Sequence, residues 1–395
     1  MATEVIQDVE PLMPSGGYPA DVLALADELP KLAGRLEGLL APETAKTVSR
    51  LMRLTNSYFS HLIEGEFIEP AGLESRVRIE QRKELRLSAS THIQAQESLE
   101  RALSHYRNAT WDVLFHRDML CRVHHRLFTG VAKNGLRLKD GRILVPGEMR
   151  DQAQQNVVVG NHSAPSWKSV DQLIRRMQQI YGQAPDPRSR LLSALAYHHR
   201  LAFVHPFEDG NGRLARMMTH LQLMKLGIGS PLWSISRGIA RVQGEYFDCL
   251  RAADRLTRGA LVESGQPTHA GLIEFVRFML LICKGEINYM SEAMGVKTLR
   301  ERLERIVRYE PRFVDAGVKQ EAARALHLLL IQGEVARADF KVYLGLKERT
   351  AIEQLQALIK LDVVEAPSPK SRALYPSLPV WLSQLIFPDL FRRYG

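Results

Sequence analysis

The sequence predicts an all-α fold: a helical body interrupted by a small β-hairpin flap, followed by a smaller C-terminal unit. Three observations carry this. Apolar residues recur at three- and four-residue steps along most of the 395 residues. One internal stretch, 134–165, concentrates Gly and Pro around two short β-prone runs, Ile143–Val145 and Val157–Val159. The chain then ends in three helical patterns and two short extended runs about a Pro/Ser/Lys turn.

The elements follow in order. Residues 21–40 alternate as a helix, with Pro30 placed to kink or divide it. Residues 41–66 (APETAKTVSRLMRLTNSYFSHLIEGE) give a second helix, ending where Gly65 offers a left-handed cap. Helical periodicity continues through Gln81–Tyr106 and Trp111–Leu127, and resumes after the flap at Trp167–Tyr181 and Pro187–Phe203. A loop, HPFEDGNGR, precedes a helix over Leu214–Leu226, and further helices run to about Tyr309. In the tail, EAARALHLLLIQ, ADFKVYLG and KERTAIEQLQALIKLD read as three helices and VVEAPSPKSRALYPS as a hairpin, which is the winged-helix order.

Composition bounds the function. Hydrophobic residues at 45% and charged residues at 25% are ordinary for a globular chain, which excludes disordered, collagenous and disulfide-framed classes. The net charge of +9 permits an anionic partner without requiring one. Residues 297–395 hold 17 Lys and Arg against 12 Asp and Glu, so this end carries +5 of that surplus. Cys121, Cys249 and Cys283 are odd in number and lack metal-type spacing, as expected of reduced cytosolic thiols. The N-terminal residues are acidic where a signal peptide needs cations, and the longest apolar runs fall short of a membrane span. The expectation is a cytoplasmic protein without membrane contact.

The strongest chemical signal is His205-Pro-Phe-Glu-Asp-Gly-Asn-Gly-Arg213. Gly210 and Gly212 free the backbone for unusual dihedrals and close ligand approach, and Asn211 tolerates similar conformations. The loop opens into a helix, whose unpaired N–H groups and positive dipole end favour an anion. Arg213 and Arg216 lie three apart on that helix, and guanidinium forks suit phosphate oxygens. Asp209 is a hard oxygen ligand suited to Mg²⁺, and His205 is the side chain here suited to base chemistry near neutrality. The parts compose a polyphosphate cradle with a metal ligand and a base. Neither a Walker loop nor a Rossmann fingerprint is present.

The string resembles the Fic signature HxFx[D/E]GNGRxxR, matched at His205, Phe207, Asp209, Gly210, Asn211, Gly212, Arg213 and Arg216. The lead-in from His198 to Val204 is similar as well, and the resemblance extends over residues 50–255. It implies an all-α, Fic-type core and transfer of AMP from ATP to a Ser, Thr or Tyr hydroxyl of a target protein, and to the chain itself. It also implies roles. His205 would take the hydroxyl proton, Asp209 would hold Mg²⁺, and Gly210, Asn211 and Gly212 would form an anion hole. Arg213 would grip the inner phosphates, Arg216 the γ-phosphate, and Phe207 would anchor the loop.

Ser60-His-Leu-Ile-Glu64-Gly65 resembles the family's inhibitory motif [S/T]xxxE[G/N]. Ser60 and Glu64 share a helix face, and a carboxylate against Arg216 would occupy the γ-phosphate's place in cis. The resemblance leaves open a reverse reaction, in which the same glutamate aligns water to remove AMP. The flap, with Val157, Val158 and Val159, is similar to the family's target-docking hairpin, where an open strand edge pairs with an extended segment. A buried strand is the plainer reading of that run. Tyr246 follows the signature helix where an aromatic borders the adenine in relatives, although a core tyrosine is the commoner role.

The expected organisation is an N-terminal helical region over 1–110 with the motif at 60–65, and a Fic core over 111–260 with its flap at 140–162 and loop at 205–216. A helical connector over 261–315 and a winged-helix domain over 316–395 complete it. The partners expected are ATP, a protein target and a second copy of the chain. The helix Lys347–Lys360 offers DNA binding as an alternative, which would make the chain a regulator whose core senses nucleotide, though Glu348 and Glu353 lie on the same helix.

Overall fold

Pro42 opens the helix that organises the molecule, since its fixed φ and missing N–H suit a first helical position. In the computed structural model, residues 9–10, 12–74, 88–105, 110–155, 157–159, 162–229, 231–254 and 268–393 are described. The first helix, α1 (Ala20–Gly38), runs through Pro30 without division. Its stripe of Val22, Ala26, Leu29, Ala33 and Leu36 is buried continuously, so packing holds the helix across the missing N–H. The second, α2 (Pro42–Ile63), is buried on most of its circumference. α3 (Ser88–His105) follows; the expected residues 81–87 of that helix lie outside the described residues. A 3₁₀ turn at Trp111–Phe115 leads into α4 (Arg117–Phe128).

The body continues with α5 (Val170–Tyr181) and α6 (Pro187–Val204). Asp186 caps α6 by accepting from the Ser189 N–H at 3.0 Å, and Pro187 starts it. From Leu191 to Leu201 every residue of α6 is buried, polar ones included, because its neighbours enclose it. Then come α7 (Asn211–Lys225), α8 (Ile235–Arg241), α9 (Gln243–Asp254) and α10 (His269–Ala293). No described helix is long and apolar enough to cross a membrane.

The flap holds a small β-hairpin. The runs Ile143–Val145 and Val157–Val159 do not pair with each other. Ile143 bridges to Arg137 across a tight turn, and β1 (Val158–Val159) pairs antiparallel with β2 (His162–Ser163). Each apolar run folds back on its nearest neighbours in sequence, where loop closure costs least. Val158 is exposed and Val157 partly so.

The segment expected to be a connector belongs to both halves. α10 packs on α1, α6, α8 and α9, whereas α11 (Val296–Tyr309) packs on α13 (Ala322–Gln332). Between α11 and α13 lies the short α12 (Pro311–Asp315). Then come β3 (Val335–Ala336), α14 (Arg337–Leu344), α15 (Glu348–Lys360), β4 (Val364–Glu365), β5 (Ala373–Pro376) and α16 (Val380–Ile386). The strands form an antiparallel sheet in the order β3-β5-β4, with Val335 opposite Leu374 and Glu365 opposite Tyr375. β3 and α16 are additions to the sequence reading; a two-residue strand carries no periodicity to find.

The C-terminal unit clasps α2. Thr44 donates to the Leu330 carbonyl at 2.8 Å and Thr47 to that of Pro376 at 3.1 Å. Phe391 packs on both Tyr58 and Phe59. Arg237 of α8 holds Glu286 of α10 through two contacts of 2.8 and 2.9 Å, donates to the Leu390 carbonyl, and lies on the Tyr289 ring.

Candidate active site

α6 ends at His205 in the left-handed region, at φ 51° and ψ 61°. That conformation is uncommon without glycine, and it turns the chain from α6 into the loop. The loop is braced from below. Phe207 is fully buried, and its ring lies flat on the His124 imidazole, with centroids 3.8 Å apart. Gly147 N–H donates to His124 Nδ1 at 2.9 Å, so Nε2 carries the proton and donates to the Asp209 carbonyl at 3.0 Å. Asn211 closes the loop through both amide atoms, accepting from the Phe207 N–H at 3.0 Å and donating to its carbonyl at 2.8 Å. The Asn211 side chain is thereby committed to the loop, not to a ligand. Any contribution to the expected anion hole falls to its backbone.

Gly210 is the N-cap of α7 at φ 78°, where no side chain caps the first-turn N–H groups. A Cβ there would stand 2.6 Å from the Phe128 ring. A Cβ on Gly212 would stand 2.2 Å from Glu64 Oε1, so the carboxylate of α2 rests directly on the backbone of that helix start. Asp209 is half-exposed and pairs with Arg213 at 3.2 Å, while the Arg213 guanidinium lies over the Phe128 ring.

Arg216 is buried and gripped by the end of α2. It donates to Ser60 Oγ at 3.0 Å, to the Ser60 carbonyl at 2.9 Å and to Glu64 Oε1 at 2.6 Å. Burial alone would raise the Glu64 pKa. The charge and hydrogen bond of Arg216, with Arg213 and His205, outweigh it and hold the carboxyl below its ordinary value. Glu64 caps α2 at its C-terminal end, and Gly65 follows at φ 83°. Ser60, Glu64, Arg213 and Arg216 thus meet at one point from segments more than 140 residues apart.

His205 sits beside this cluster, partly buried. Its Nδ1 donates to the Ala202 carbonyl at 3.2 Å, leaving Nε2 as the free acceptor. Burial, with the charge of Arg150, lowers its pKa to about 4 against the Ala202 hydrogen bond. The imidazole is therefore neutral near pH 7.

Tyr246 departs from expectation. It is 2% exposed, packed on Phe275 and Phe247, and its hydroxyl donates to His198 Nε2 at 2.9 Å. His198 Nδ1 in turn donates to Thr219 Oγ1 at 2.7 Å, and Thr219 to the Ala215 carbonyl. Burial raises the Tyr246 hydroxyl to about 12, against the charge of Arg216. Tyr246 stands behind Arg216 as part of its support and presents no open ring face to an adenine.

Sequence reasoning missed His124 and Arg150. Arg150 is 2% exposed and donates to the carbonyls of Val204, His205 and Pro165. Both lie remote in sequence from the loop they hold, so no local pattern marks them. Among the described residues no three His, Cys, Asp or Glu side chains group as a metal site. A single carboxylate at a helix start, Asp209, fits a Mg²⁺ that takes its other ligands from phosphates and water.

Known proteins agree with this architecture. Residues 114–223 match the profile of the Fic/DOC family. A segment of 82 residues, 20% of the chain, is 32% identical to the protein adenylyltransferase Fic of Drosophila persimilis. That segment covers 16% of the Drosophila protein's length. A Fido domain-containing protein of Dictyostelium discoideum is 29% identical over 123 residues, which cover 30% of this chain and 79% of that protein. Among solved structures, a Fic domain-containing signaling protein from Bacteroides thetaiotaomicron superposes with a TM-score of 0.50 at 17% identity, over 68% of this chain and 96% of that one. Fic-1 from C. elegans does so with a TM-score of 0.50 at 17% identity, over 70% and 74%. The stretch that matches the Fic/DOC family holds the loop, its His124 brace and most of α7.

Proposed function

We propose that this chain is a protein adenylyltransferase, transferring AMP from ATP to a Ser, Thr or Tyr hydroxyl of a target protein and to itself, restrained in cis by Glu64. The observation that carries the reading is the Glu64 carboxylate seated on the Gly212 backbone and bound to Arg216 at 2.6 Å. A negative group already occupies the place that a helix start and an arginine prepare for an anion.

In the reaction, His205 Nε2 accepts the proton of the target hydroxyl as its oxygen attacks the α-phosphorus. A new P–O bond forms, the α–β bridge breaks, and pyrophosphate leaves. The neutral imidazole with Nε2 open supports that role. Arg213 and Arg216, with the first-turn amides at Gly210–Gly212, would hold the phosphates. Asp209 would hold Mg²⁺, whose charge would offset that of the phosphates. While Glu64 keeps Arg216, the γ-phosphate is displaced and in-line attack fails, since misplacement by about 1 Å costs about 10²-fold in rate. The hairpin edge at Val157, Val158 and Val159 would receive the target as an added strand. The sheet order β3-β5-β4 beside α13, α14 and α15 supports reading 316–395 as a winged-helix unit.

The test is incubation with α-labelled Mg²⁺-ATP. Glu64→Gly is expected to incorporate more label than wild type by about tenfold or more, and His205→Ala in that background is expected to incorporate none. Equal labelling of wild type and Glu64→Gly overturns the restraint, and label persisting in His205→Ala overturns the base.

A further inference from the structure

We propose that Arg150 is a positioning residue of the transfer reaction, the joint that holds the target-docking hairpin and the turn presenting His205 in one fixed relation. This rests on the function proposed above.

The geometry is specific to a guanidinium. Arg150 Nε donates to the His205 carbonyl at 2.8 Å, and one terminal nitrogen donates to the carbonyls of Val204 and Pro165, each at 3.0 Å. The other reaches the Gln155 carbonyl at 3.4 Å. The Arg150 backbone N–H donates to the Pro206 carbonyl at 2.9 Å. Gln155 and Pro165 flank the β1–β2 hairpin on its two sides, so one planar fork grips both stems. Val204 and His205 are the end of α6, where helix carbonyls lack intrahelical partners and a cation complements the dipole. The same contact fixes the peptide plane of the residue held at φ 51°.

All four side-chain partners are carbonyl oxygens. Burying a guanidinium without a paired carboxylate is costly, and burial does lower the Arg150 pKa against the more distant charge of Glu208. A fold that needed only filling there would use an apolar side chain. A lysine would supply one point of charge where three segments require a planar fork. The consequence is mechanical. A target strand paired with the hairpin is registered, through Arg150, against the imidazole that must take its proton.

The experiment compares Arg150→Lys and Arg150→Gln, each in the Glu64→Gly background. Both are expected to lower kcat by about tenfold to a hundredfold with KM for ATP within about twofold, since neither touches the phosphate site. Arg150→Gln also removes a positive charge near His205, so the acid limb of its pH profile is expected to move to higher pH, while Arg150→Lys leaves it in place. Histidine-labelled NMR titration of His205 reads the same shift without turnover. Folded Arg150→Gln protein with unchanged kcat, or with an unmoved His205 titration, overturns the proposal. If Arg150→Gln fails to fold, an unchanged kcat in Arg150→Lys overturns it instead. Absence of transfer from Glu64→Gly itself, with an Arg150-dependent His205 titration, removes the adenylyltransferase reading and leaves the joint standing.

Discussion

His205 has its backbone and its ring set by different neighbours. Arg150 fixes the carbonyl and Ala202 fixes Nδ1, so Nε2 is the free acceptor and burial keeps the ring neutral. A base with the ordinary imidazole pKa of 6.5 would lose half its activity at that pH. With its pKa lowered to about 4, His205 stays competent through the whole range above about pH 5. We predict that kcat/KM of Glu64→Gly is flat from pH 8 to pH 6 and falls only below about pH 5, because this quantity reports the free enzyme. A midpoint at 6.5 in initial rates with labelled ATP would count against the buried, neutral imidazole. At this scale the sequence was most informative where residues act on their own neighbours. Gly210 and Gly212 were marked by their place where a loop opens into a helix, and Phe207 by the resemblance to the Fic signature. His124 contacts Asp209 across 85 positions and Arg150 contacts His205 across 55, so nothing local announces either. Tyr246, placed by resemblance beside the adenine with a core tyrosine as the commoner role, is buried and held by His198.

At the level of elements, α2 decides whether the site is open. Its last two turns deliver Ser60 and Glu64 to Arg216, and the C-terminal unit holds its first turns through Thr44 and Thr47 and its last through Tyr58 and Phe59. Phe391 is the apolar part of that clasp, at 8% exposure. Phe391→Ala is expected to destabilise the protein by about 3–5 kcal/mol and to raise basal labelling in the otherwise wild-type chain, since the turn it supports precedes Ser60. In Glu64→Gly the same change is expected to leave labelling unaltered, there being no carboxylate left to hold in place. Equal labelling by Phe391→Ala and wild type would uncouple the clasp from the site. The helix itself was legible from apolar spacing, Pro42 and Gly65. What covers it was not, because many of the side chains it buries, Thr44, Thr47, Asn56 and Ser57 among them, are polar and read as exposed, and α16 and the 387–393 tail carry too short a pattern to assign. The flap was legible as a small hairpin from its Gly and Pro and its β-prone runs; its register was not, because strands of two residues carry no alternation to read.

Across the whole molecule, the fold encloses imidazoles that titrate only when it opens. His61, His124 and His198 are each at most 1% exposed. Burial, reinforced by the surrounding arginines, lowers His61 and His124 to about 4 and His198 to about 3. In the unfolded chain these groups take up protons near 6.5, so below that pH the unfolded state binds more protons than the folded one. The stability they contribute is fully present above about pH 6.5 and is lost as the pH falls towards their folded values. Each costs about 1.4 kcal/mol per pH unit in that window, so three together approach about 4 kcal/mol per unit, a large part of a typical folding free energy. Glu100 extends the decline. Burial opposes its charge, but the hydrogen bond and charge of His220, with Arg53, outweigh it and lower its pKa to about 2. Its contribution is present above about pH 4.5 and disappears as the pH falls towards 2. We therefore predict urea midpoints that are level from pH 8 to 7, drop steeply between pH 6.5 and 4.5, and end in acid unfolding above pH 2. His198→Gln, which keeps hydrogen-bonding atoms behind Arg216 and cannot be charged, is expected to flatten the slope by about one proton between pH 6 and 4. A wild-type midpoint that stays level down to pH 5 would mean that these histidines reach solvent in the folded chain, and the neutral state assigned to the site would fall with them.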